Sequence, residues 1–202
     1  MVEYLVIIEG GGSTRDQQVR LREGFRALFS KLASVQRKPK PRCAGGRDQA
    51  FNDFKKTVKA NPSATCLLLV DSEGPVRQGL SPWDHVTERI GDEWQRPTNA
   101  TDDQLHFMVE AMEAWLVADP EALGCYYGSK FKKAKLPSRK NLEQVPKADL
   151  VKALEAATKD AKTKGGYQKS HGFDLIGKID PAKVRSACPE FAERFFRVLE
   201  EH

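Results

Sequence analysis

Cysteine, histidine and methionine are scarce in this chain: among 202 residues there are 4 Cys, 4 His and 3 Met. Cys43, Cys66, Cys125 and Cys188 stand far apart, with no pair at the spacing of a thiolate metal site or a redox motif. That argues against a disulfide scaffold and is read as four reduced thiols in a cytoplasmic protein. Long apolar runs are missing as well. None approaches the roughly 20 residues that a membrane helix needs, so no membrane partner is expected. The glycines of Gly10-Gly11-Gly12 are followed by Ser13-Thr14-Arg15-Asp16, without the Gly-Lys-Ser/Thr ending of a P-loop or the spacing of a dinucleotide fingerprint. A nucleotide-cradling turn is therefore the weaker reading of that loop. There is no internal repeat and no coiled-coil heptad.

What the chain does contain is an uneven charge. The formal balance is +5, yet residues 129–170 hold twelve Lys and Arg against four Asp and Glu, a local +8 that leaves the remainder at −3. A segment of this kind tracks phosphate backbones through salt-sensitive contacts, or docks a protein partner.

Two short acidic motifs follow apolar runs. Leu5-Val6-Ile7-Ile8 leads into Glu9-Gly10, and Cys66-Leu67-Leu68-Leu69-Val70 leads into Asp71-Ser72-Glu73-Gly74. Runs without period-two alternation are what strands covered on both faces look like, as in parallel α/β sheets. Ligands of such sheets sit beyond the carboxyl ends of the strands, where Glu9, Asp71 and Glu73 converge. Carboxylates meeting in one crevice repel each other unless a cation neutralises them, and hard oxygen ligands suit Mg²⁺ or Mn²⁺. Taken alone, Asp71-Ser72-Glu73 also reads as an ordinary turn.

Strands and helices alternate up to about residue 120. Leu21, Phe25, Leu28, Phe29 and Leu32 recur at helical spacing, then comes a weakly marked strand over 41–46 and a helix with Phe51, Phe54 and Val58. Ser81-Pro82 starts a helix whose buried face is expected to be Trp83, Val86 and Ile90. A fourth strand is predicted over 105–109, followed by a helix with Met112, Trp115 and Leu116, and another opening at Asp119-Pro120. This order predicts a doubly wound parallel sheet over residues 1–128. Residues 129–202 form a lysine-rich, mainly helical extension packed on that core, with final helices opening at Asp180-Pro181 and Cys188-Pro189.

Further candidates lie outside the two motifs. Glu113 sits between Met112 and Trp115, and a carboxylate in apolar company is costly unless it is paired or binds a cation, so it is a candidate metal ligand. Glu110 lies at a helix start, where acidic residues are favoured whatever the function. Lys169 and His171, after the break at Gly165-Gly166, offer positive charge to a scissile phosphate or simply form a solvated loop. His85 and His106 read as packing histidines.

A glutamate after the first strand, with an Asp-x-Asp-like motif after a later one, resembles the Toprim fold of topoisomerases, primases, recombination mediators and the overcoming-lysogenization-defect nucleases. Here Glu73 stands where the second Asp is usual. More narrowly, Met112 to Asp119, together with Asp71-Ser72-Glu73 and the stretch from Lys169 to Cys188, is similar to the domain of unknown function 4276 family, also called RloG-like. The resemblance implies a metal-dependent nuclease in bacterial defence, with Glu9, Asp71 and Glu73 as catalytic carboxylates and an AAA-type ATPase as partner. Two other readings stay open. Asp71-Ser72-Glu73-Gly74 imitates the nucleophile loop of haloacid-dehalogenase-like phosphatases, in which Asp71 would attack phosphate. Alternatively the chain is a noncatalytic partner of an ATPase.

Overall fold

The computed structural model describes residues 4–201 apart from 33, 36, 62, 63 and 163. Four strands form one parallel sheet: β1 (Tyr4–Ile8), β2 (Lys40–Cys43), β3 (Thr65–Asp71) and β4 (Leu105–Met108), in the order β2-β1-β3-β4. The chain leaves β1 toward one edge to make β2, then returns past it to make β3. The point where that direction reverses therefore lies between β1 and β3, with Ile8 level with Leu69. All five residues of β1 and the last six of β3 are buried, which is why both read as unbroken apolar runs.

Each face of the sheet has its own cover. Leu5, Ile7, Leu68 and Phe107 face α2 (Arg47–Ala60) and α3 (Pro82–Glu88), where Phe51 stacks on Trp94 with ring centroids 4.3 Å apart. Val6, Ile8, Leu67 and Leu69 face α1 (Arg15–Ser30). Helix α1 opens on a capping box in which Thr14 accepts from the Gln17 N–H at 3.3 Å and the Gln17 side chain accepts from Thr14 in return. Gly11 has φ +93°, and a Cβ there would lie 2.9 Å from the Gln18 Cα, so only glycine lets the chain turn this tightly from β1 into α1.

The second half of the chain extends the α1 face. Helices α4 (Glu113–Val117), α5 (Pro120–Tyr127), α6 (Lys147–Thr158), α7 (Lys169–Leu175), α8 (Pro181–Ala187) and α9 (Phe191–Glu200) bury Trp115, Leu123, Leu154, Phe173, Val184 and Phe195 in one apolar cluster with α1. Phe195 lies 6.1 Å from Phe29, and Phe196 lies 5.3 Å from Trp115. Helix α9 also packs against β4.

Three expectations are corrected in detail. The second strand ends at Cys43, because Gly46 already caps α2. Ile90 is 89% exposed: α3 stops at Glu88, where Arg89 turns extended, so only Trp83 and Val86 reach the core. The last helix begins at Phe191 rather than at Cys188-Pro189, since Cys188 closes α8. Its start is fixed from a distance, by the Glu143 carboxylate accepting from the N–H groups of Glu190 (2.9 Å), Phe191 (2.8 Å) and Ala192 (3.1 Å).

Helices α1 and α7 meet backbone to backbone at Gly24. A Cβ there would lie 2.5 Å from the Phe173 carbonyl oxygen, and no rotamer relieves a clash with main chain. Gly24→Ala is expected to destabilise the protein by about 1–3 kcal/mol, despite the better helix propensity of alanine. Thermal unfolding followed by circular dichroism checks this, and an unchanged or raised Tm would contradict the close helix contact.

Candidate active site at the carboxyl edge of the sheet

Because β1 and β3 are neighbours, the residues that leave their carboxyl ends meet in the crevice of the switch point. Glu9 follows β1, and its Oε2 accepts from the Asp71 N–H at 3.3 Å. Asp71 closes β3, and its Oδ1 accepts from the Met112 N–H at 2.9 Å. Glu73, two residues on, has φ +58° and donates its N–H to the Glu110 carbonyl at 3.0 Å. Glu113 opens α4, buried, with Oε1 accepting from the Tyr167 hydroxyl at 2.9 Å. A cavity of about 30 Å³, the space of one water molecule, lies among Glu9, Asp71, Glu113 and Lys169.

Two cations hold these carboxylates. Arg47, the first residue of α2, donates to Glu9 Oε2 at 2.8 Å and to the Asp71 carbonyl at 2.5 Å. It pairs through its other nitrogens with Asp92 at 2.6 Å and stacks over the Trp94 ring at 4.8 Å. Lys147, the first residue of α6, places Nζ 2.7 Å from Glu73 Oε2 and 3.6 Å from Asp71 Oδ2, while its N–H donates to Glu110 at 2.9 Å. The loop after β3 is held further by His85, whose Nε2 lies 3.1 Å from the Ser72 carbonyl.

The electrostatics follow from this crowding. Burial, with Glu9, Glu113 and Glu73 nearby, pushes the Asp71 carboxyl up to about 7 against the pull of Lys147. Burial also raises Glu9, although Arg47 opposes it. Lys147 is disfavoured as an ammonium by burial, but Glu73 and Asp71 outweigh that and raise it. Glu9 Oε1 and Glu113 Oε2 accept no hydrogen bond from the described residues.

Of the residues singled out in the sequence, Glu9, Asp71, Glu113 and Lys169 line one cavity, and Glu73 is tied to it through Lys147. His171 stands apart. Its Nδ1 lies 3.0 Å from the Tyr127 hydroxyl and its ring rests against Tyr126 and Tyr127, so it does not share the cavity with the carboxylates. His106 is a buried packing histidine that lies against Phe195 and is held well below the usual range by burial. Arg47, Lys147 and Tyr167 escaped the sequence reading; each reaches the crevice from a distant segment, and only the position of Arg47 after the Gly45-Gly46 turn hints at it. Among the described residues no three His, Cys, Asp or Glu side chains stand as a ready metal cluster.

A protein-family model, the domain of unknown function DUF4276, matches residues 8–200. The chain belongs to this family. No curated protein matches it. No solved structure matches it either. The family match takes in all four carboxylates, both cations and every helix from α1 to α9. Among the described residues no helix is long and apolar enough to cross a membrane.

The raised Asp71 gives a pH-dependent stability whose sign is fixed. A carboxyl that holds its proton more tightly when folded costs stability at high pH: the penalty is complete above about 7 and fades as the pH falls toward 3.8, the unperturbed value. Asp71→Asn keeps the acceptor for Met112 and removes the charge. In metal-free buffer it is expected to raise Tm by roughly 5 °C at pH 8, with the gain shrinking at pH 5. A gain that grows on acidification, or none at either pH, would contradict the burial of a repelled charge.

Proposed function

We propose that this chain is a metal-dependent nuclease that hydrolyses phosphodiester bonds at the carboxyl edge of its sheet. The observation that supports this most is Asp71, buried against Glu9 at the switch point and raised to about 7: a carboxylate pair whose repulsion Arg47 and Lys147 relieve only in part. The donor set fits a hard divalent ion, since Glu9, Asp71, Glu73 and Glu113 offer only oxygen, Glu9 Oε1, Glu73 Oε1 and Glu113 Oε2 accept no hydrogen bond from the described residues, and the space among Glu9, Asp71 and Glu113 is water-sized. These four residues would hold Mg²⁺ or Mn²⁺, which when bound polarises phosphoryl oxygens and lowers the pKa of water. Placement of Glu9 after the first strand and of Asp71-Ser72-Glu73 after its neighbour also keeps the Toprim and RloG-like resemblance in view.

The side chains of the chain itself have distinct tasks in this reading. Arg47 orients Glu9 by ion pairing, and Tyr167 orients Glu113. As an alternative to ligating the ion, Glu9, its carboxyl raised by burial, would carry a proton to or from the reacting oxygens. Lys169 sets an exposed ammonium at the cavity for the scissile phosphate, and Lys147 neutralises Glu73 and Asp71 in the resting protein. The basic segment 129–170 gathers nucleic acid, with lysines that, Lys147 apart, are exposed, and an AAA-type ATPase is the partner that the RloG-like resemblance implies. His171 has no task at the cavity.

The test combines metal binding with cleavage. Calorimetry is expected to find Mn²⁺ binding that Asp71→Ala weakens strongly. Cleavage of plasmid DNA or structured RNA with Mn²⁺ is expected to fall by about 100-fold or more in Glu9→Ala and Asp71→Ala, with His171→Ala near wild type. Phosphomonoester turnover that survives Glu9→Ala would instead make Asp71 the nucleophile of a haloacid-dehalogenase-like phosphatase. A protein that binds neither metal nor nucleic acid would return the chain to a noncatalytic partner of an ATPase.

A further inference from the structure

We propose that the cleft along the outer edge of β2 is a second basic surface, which carries the sugar-phosphate backbone of a nucleic acid toward the carboxylate site. The inference rests on the nuclease reading and deepens it. The cleft measures about 790 Å³ and runs between α1 and α2, with Pro41 to Cys43 of the edge strand between them. Four cations line it, Arg15 and Arg22 from α1, Arg42 from β2 and Lys56 from α2, against the single carboxylate of Asp53.

None of the four is neutralised across the cleft by the described residues. Arg15, Arg42 and Lys56 have no ion pair there, and Arg22 reaches only its sequence neighbour Glu23, at 3.5 Å. The Nε of Arg22 is buried with no hydrogen-bond partner. Asp53 accepts from the Gln49 amide at 2.7 Å instead of from a cation. Half-buried arginines elsewhere in this protein are paired tightly, as Arg20 with Asp174 at 2.7 Å and Arg185 with Glu193 at 2.6 Å. Four like charges held around one concave surface repel each other and concentrate a positive potential that draws in a polyanion.

The lining decides which polyanion. It has no aromatic ring on which a base would stack, so the surface recognises phosphates and tolerates any sequence. Charge on β2 alone would be explained as protection of a sheet edge, but the cations here also come from both flanking helices. The cleft is joined to the site by main chain. Gly10, next to Glu9, and Gly45, two residues beyond Cys43, exchange backbone hydrogen bonds of 2.8 and 3.0 Å. A strand lying in the cleft is thereby led to the loop that carries Glu9.

Fluorescence anisotropy of a labelled oligonucleotide with the full chain in EDTA tests this apart from catalysis. Arg42 and Lys56 are both exposed, so Arg42→Ala/Lys56→Ala is expected to melt like wild type and to bind about tenfold more weakly. The slope of log affinity against log salt should flatten by about 0.7–0.9 per cation removed, with Arg197→Ala on α9 unchanged. If the double variant melts early, Arg15→Ala/Lys56→Ala must show the same loss. Wild-type affinity and slope in both double variants, with cleavage intact, would overturn the cleft and leave the nuclease reading standing. Wild-type protein that neither binds nor cleaves nucleic acid would overturn both.

Discussion

Parallel pairing of β1 with β3 sets two carboxylates side by side in a place that water scarcely reaches, and much of the surrounding structure answers that one repulsion. Glu9 and Asp71 are brought together by the register that levels Ile8 with Leu69. Arg47 and Lys147 are the responses, the first from the start of α2 and the second from the start of α6. Each is secured by more than its carboxylate, Arg47 by Asp92 and the Trp94 ring, Lys147 by the main-chain bond to Glu110. A buried ion pair is seldom a net gain in stability against an apolar replacement. The charges gathered in this crevice are therefore better accounted for by the function proposed for it than by a gain in stability.

The strand ends were the readable part of this site. Glu9, Asp71 and Glu73 announce themselves because an apolar run long enough to be a buried strand stops on an acid, and sheet geometry then says where that acid must lie. Glu113 was legible for a related reason, a charge in apolar company. Arg47, Lys147 and Tyr167 were not, because nothing local marks them; they enter through contacts that span tens of residues. Lys147 in particular was hidden in plain view within a segment whose lysines looked interchangeable. His171 shows the converse failure. Sequence nearness to Lys169 suggested a shared site, but within a helix the two point differently, and His171 turns to Tyr127.

The fold was legible where period and punctuation agreed. Ser81-Pro82 and Asp180-Pro181 begin helices as their caps imply, with Ser81 accepting from Asp84 and Asp180 from Ala182. The spacing of Ile90 continues a helix that its backbone has already left at Arg89. The start of α9 falls at Phe191, past Cys188-Pro189, because its cap, Glu143, lies far upstream and leaves no trace beside the helix it opens. Caps supplied across the fold are invisible to a reading that looks only at neighbours.

Helix α9 lies over β4 and against Phe29 of α1, closing a core that the first strand opens. During synthesis the chain emerges in order, so the part of this core that α9 covers, Phe29 of α1 and His106 of β4 among it, waits open until residues 191–200 have left the ribosome. The early βα units can pair and gather α2 and α3 on the other face meanwhile. The residues that line the crevice, from Glu9 to Lys169, all precede α9 in the chain, so the site can be assembled while the core beneath it still lacks its last cover.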